Sequence, residues 1–261
     1  MGTSTNYAGS PNWGPSKGEA TRTGGEGHVT PQKAASIVGS FVGQMAKSPH
    51  LGFGPALSAT QGSGAAKTGG GGGSRAGGSR AGGSARSIAR GIGGFLADVG
   101  KKGFQEALAD RGLSDLSGKS PDEIALALAD ILGGPSSLIE QTALRDALLA
   151  LVLDWSEGLA SLQELEKSMA AICTNIEGAL HQFFGHYIFE VFKTVGYQGV
   201  LETHGFEKAE SMTNQIRDFI DVKISGLEKS RPLSSLDWNG PGGAEVIDGI
   251  VKDTIAIFGE A

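Results

Sequence analysis

Cys173, Glu177, His181, His186 and Glu190 lie in one short stretch and carry side chains that ligate metals, move protons or attack electrophiles. Their spacing limits what they can do together. His181 and His186 are five residues apart, about 140° around a helix, so they do not face a common metal ion. Glu177 with His181, and His186 with Glu190, stand at i,i+4, the spacing of ordinary pairs on a helix surface. Cys173 is the single cysteine. It has no cationic neighbour in sequence and reads as a small buried hydrophobe. No metal site and no cofactor is expected. A nucleophile elbow, zinc-type spacing and a paired catalytic carboxylate motif are all missing, so the chain reads as non-enzymatic. Gln61 to Thr68, QGSGAAKT, approaches the P-loop pattern. Gln61 and Ala66 stand where its two glycines belong and no strand precedes it, which argues against nucleotide binding there.

Two other groups offer chemistry. Removal of Met1 would expose the amine of Gly2, which has no side chain to obstruct a modifying enzyme. N-myristoylation requires Ser or Thr at the sixth position, where this chain has Asn6, so that motif fails, but an accessible glycine amine is still a good acceptor for other conjugation chemistry. The second group is Arg75, Arg80, Arg86 and Arg90, which recur through KTGGGGGSRAGGSRAGGSARS and just beyond it. Gly/Ser sequence of this kind behaves as flexible coil. Arginines on it could neutralise the phosphates of a nucleic acid, or pair with acidic groups of the same chain. No aromatics are interleaved for base stacking. Through residue 105 there are eleven Lys/Arg against three Asp/Glu, and beyond it eleven against twenty-five. A basic arm on an acidic body suggests an anionic partner or an arm folded back on the body.

The elements that would position these groups are helical. Ile176, Leu180, Phe183, Phe184, Tyr187, Ile188, Val191 and Val195 recur at helical spacing, and Phe192 widens the arc. This helix is expected at the centre of the fold, with Gln182, His186, Glu190 and Lys193 on its polar side. Thr30-Pro31 opens a short helix through Ile37, Phe41 and Met45; Ser120-Pro121-Asp122-Glu123 opens another with a capping box. Further helices are predicted from Ser87, Ser137, Ser161, Phe206 and just after Gly242-Gly243, with Trp238 as an anchor before the last. No alternating strand pattern appears. The expected fold is all-α: a single helical bundle-like domain behind a long flexible arm rich in Gly, Ser and Arg. Its divisions are a flexible tail over 1–29, a short helix over 30–48, a linker over 49–86 and the helical domain over 87–261. On that division a chain starting at Ser84 should fold by itself. Tyr7 and Trp13 are the large apolar groups of the tail and its docking candidates, with Trp13 expected to dock either on this chain or on a partner. One cysteine fits a reducing compartment, and no stretch approaches 18 apolar residues. A cytoplasmic protein that does not cross a membrane is expected.

Several stretches also carry a family likeness. MGTSTNY, ARSIARGIGGFLADVGKKG, GLSDLSGKSPDEI, FFGHYIFEVF and DWNGPGGAEVIDGIVKDTI together resemble the B component of Qat-type bacterial anti-phage defence systems. The resemblance implies a non-enzymatic subunit encoded beside an ATPase, a cyano-deazaguanine-synthase-like enzyme and a TatD-like nuclease. It further implies that the synthase-like enzyme modifies the N-terminus with a deazaguanine-type base. That places the acceptor at Gly2, with Met1, Thr3 and Ser4 as the recognised tail. The alternative, from the residues alone, is a nucleic-acid-binding adaptor that works through the arginines of the linker.

Overall fold

The computed structural model describes residues 11–48, 51, 53, 85–115, 118–133, 139–227 and 233–259. Among them are α1 (Gly14–Gly24), α2 (Pro31–Lys47), α3 (Ala85–Lys102), α4 (Phe104–Ala109) and α5 (Pro121–Gly133). After these come α6 (Ile139–Ser156), α7 (Leu162–Ile172), α8 (Ile176–His204), α9 (Phe206–Ser225) and α10 (Pro241–Gly259). No strand occurs among the described residues, so the fold is all-α.

Helices begin where the sequence supplies caps. Thr30 Oγ1 accepts from the Lys33 amide, and Pro31 sits at the first helical position, where a missing N–H is harmless. Ser120 and Glu123 form the reciprocal capping box: the Ser120 amide donates to Glu123 Oε2 at 2.7 Å and the Glu123 amide to Ser120 Oγ at 3.2 Å. Asn175 caps α8 by accepting from the Gly178 amide at 3.0 Å. Gly205, at φ 84°, ends α8 and starts α9. Few residues other than glycine adopt that backbone cheaply.

α8 is the hub, packed against α1, α2, α3, α6, α9 and α10. Phe183, Phe184, Tyr187 and Ile188 are wholly buried along it. The sequence reading closes this helix before Gly196; in the structure it runs on to His204. The extra turns exist because α1 lies on them. A Cβ at Gly199 would stand 2.7 Å from Thr21 Oγ1, so glycine here allows close helix approach and does not break α8. Trp238, 3% exposed, lies over Gly93 of α3 as an anchor before α10.

Within the stretches expected as a tail over 1–29 and a linker over 49–86, several described residues are helical or buried. Gly14–Gly24 form a helix, and Trp13 stacks on Phe41 with ring centroids 5.6 Å apart. Carbonyls of α1 and of its C-cap have partners on the body: His204 Nε2 lies 2.7 Å from Thr21 O, and Lys208 Nζ donates to Gly25 O at 2.8 Å. α2 packs on α8, α9 and α10, and its Ile37, Phe41 and Met45 are fully buried. Leu51 and Phe53, assigned to the linker, are buried as well, because apolar groups of that size gain more against α8 than in water. Phe53 meets Phe184 edge-on at 5.4 Å. Ala85 and Arg86, also assigned to the linker, belong to α3.

Candidate functional site

A helix enclosed on this many sides has no solvent face in its middle, and its polar residues are drawn inward. The expected surface pairs are therefore not on the surface: Glu177, His181, His186 and Glu190 are all at most 8% exposed. Of the expected polar arc, Gln182 and Lys193 alone remain exposed. Lys193 reaches back to donate to both oxygens of Glu190, at 3.1 and 2.9 Å, and so compensates that buried charge.

Beside His186 a cavity of about 470 Å³ opens between α6, α8 and α9. Asp154 of α6, His181, Gln182 and His186 of α8, and Asp221 and Ser225 of α9 contribute its polar groups. His186 Nε2 stands 2.9 Å from Asp154 Oδ2, which orients the ring. Burial raises the Asp221 carboxyl above its ordinary pKa, and nearby Asp154 and Asp218 push the same way, while His186 and Arg217 pull it down. This cavity favours cations or hydrogen-bond donors. Ser225 donates its hydroxyl proton to the Val222 carbonyl at 3.0 Å.

On the reading of His186 as a surface residue, His186→Ala should be nearly neutral. Its buried ring and its bond to Asp154 change that expectation to a loss of about 1–3 kcal/mol, the cost of a charge-assisted bond together with a small void. Thermal and urea unfolding of the variant measure it directly.

Met1, Gly2, Thr3, Ser4 and Tyr7 lie outside the described residues, as do Arg75, Arg80 and the P-loop lookalike at 61–68. Trp13 packs within this chain, on Phe41. Arg86 Nε pairs with Asp248 Oδ1 of α10 at 2.8 Å, and Arg90 is half-buried on α3. Cys173, expected to be buried, is half-exposed in a 3-10 turn between α7 and α8 and donates to the Ala170 carbonyl at 3.1 Å. Partial burial raises its thiol pKa, which disfavours the nucleophilic thiolate.

Sequence spacing missed Asp154, Asp221 and Asp253, because they reach the α8 histidines from other helices. Two histidines within a stretch dominated by aromatics were the available hint, since such a helix leaves little surface for them.

Among the described residues no helix is long and apolar enough to cross a membrane. The fold and its polar cavity define an all-helical protein built round one buried helix. A family model described as "Qat anti-phage system associated protein QatB" matches residues 72–258, and the chain belongs to that family. It is thus associated with anti-phage defence. No curated protein and no solved structure matches the chain.

Proposed function

We propose that this chain is a non-enzymatic subunit of a cytoplasmic anti-phage defence complex. Its N-terminal tail is a substrate for modification, and its helical body is a docking module for the other components. The observation that carries the reading is the family match across residues 72–258. The partners are the ATPase subunit and the cyano-deazaguanine-synthase-like enzyme of the same system. The synthase-like enzyme would attach a deazaguanine-type base to the amine of Gly2, with Thr3 and Ser4 recognised beside it once Met1 is removed.

The way the chain leaves the body supports this. α1 is seated on α8 and α2, and the segment before it emerges at half-buried Pro11 and exposed Asn12. The nine residues from Gly2 to Ser10 can span at most about 30 Å when extended. For docking, the body presents Phe206 and Val222 of α9, 65% and 72% exposed.

Co-expression with the neighbouring genes, followed by intact mass and N-terminal peptide spectra, tests the reading. Loss of Met1 and added mass on Gly2 are expected. Gly2→Ile should retain Met1, take no added mass and abolish protection against phage, with the melting curve unchanged. An unmodified terminus in protein that still protects cells would rule the modification out.

A further inference from the structure

Glu177 and His181 stand one turn apart on the same face of α8, and Asp253 of α10 meets them from across the helix pair. One ligand atom from each of the three lies within 4.8 Å of the other two. Glu177 and His181 are 0% and 1% exposed, and Asp253 is half-buried. We propose that these three residues bind a divalent zinc ion.

The neighbouring threonine fixes which imidazole nitrogen would take the metal. Thr254 Oγ1 donates its proton to the Ile250 carbonyl at 2.8 Å. Its oxygen is left as the acceptor for His181 Nδ1, 3.3 Å away. His181 thus donates from Nδ1, which assigns Nε2 as the nitrogen that would face a metal, the arrangement that an outer hydrogen bond gives a metal-binding histidine. Thr254 is 0% exposed, so water does not compete for this bond.

Charge and donor type select the ion. Two carboxylates and an imidazole brought to one place form a donor set that suits a divalent cation. One nitrogen and two oxygens without sulfur suit zinc, which is held at about 2.0–2.2 Å by such ligands. Three protein ligands leave a fourth position, and the cavity beside His186, which His181 also lines, supplies water to it. The ligand atoms need only draw in to about 3.3 Å from one another to surround the ion tetrahedrally.

The full chain, stripped with a chelator and titrated with zinc chloride by calorimetry, tests the site. One zinc per chain is expected, with a higher melting temperature in the zinc-loaded protein. Asp253→Asn and Glu177→Gln preserve shape and should each weaken uptake by about tenfold or more; Thr254→Val, acting through His181, should weaken it about 10–100-fold. Circular dichroism of each variant checks that the helices are intact, and Asp253→Asn, at the half-buried position, keeps the test open if a buried change unfolds the chain. Absence of stoichiometric zinc uptake by the wild-type chain overturns the proposal. So does uptake that Asp253→Asn and Thr254→Val leave unchanged.

Discussion

A chain carrying Phe184→Asp is expected to lose its cooperative fold. Phe184 has no exposed surface, and its ring touches those of Phe183 and Phe53 with centroids 5.3 and 5.4 Å away. Removing a ring from such a place forfeits about 3–5 kcal/mol through lost burial and the void left behind. The new carboxylate has no cation to meet there, so it adds several kcal/mol more, or stays protonated at a similar cost. Together these approach the whole margin of a domain, about 5–15 kcal/mol. Far-UV circular dichroism with a thermal melt should show weakened helicity and no sharp transition, while His186→Ala still melts cooperatively. A Phe184→Asp protein that melts within a few degrees of the wild type would mean that α8 is not the hub.

Starting the chain at Ser84 should be nearly as damaging, although the sequence alone suggests that such a piece folds by itself. The truncation removes α1 and α2, and with them Ile37, Val38, Phe41, Val42 and Met45, all at most 1% exposed. It also uncovers Phe192, which Phe41 meets edge-on at 5.5 Å, and Phe258, whose carbonyl lies against Gly39. At about 1.5–3 kcal/mol per buried side chain, the gross burial lost is on the order of 10 kcal/mol. The ordering entropy of the two helices is recovered and offsets part of this, but the new apolar surface remains exposed to water. The shortened protein should run as aggregates on gel filtration and melt without a clear midpoint. A chain lacking only residues 1–10 should behave like the full chain. A sharp melt from the Ser84 piece at the wild-type temperature would show that α1 and α2 are dispensable.

These two cases mark what was legible in the sequence. α2, α5 and the centre of α8 announce themselves through caps and large apolar residues at helical spacing. α1 does not: the residues it buries are Ser16, Ala20, Thr23 and Gly24, which are small, and two of them are polar. Its packing relies on close approach to Gly199 and Val200, and no hydrophobic pattern signals that kind of interface. The buried polar groups were hidden for a different reason. Helical spacing states which residues share a face, but whether that face meets water depends on helices far away in sequence. His186 and Glu190 look external until α6 and α9 are in place; His181 looks external until Thr254 and Asp253 of α10 are.

The burial of Phe53 and the start of α3 at Ala85 change the nature of the glycine-rich stretch. Phe53 and Ala85 are both buried in the core, so the two described residues that flank this stretch have fixed places. The free energy of closing a flexible ring grows only with the logarithm of its length, by about 0.6 kcal/mol for each doubling. Repeats such as SRAGG can therefore be added or lost with little effect on the core.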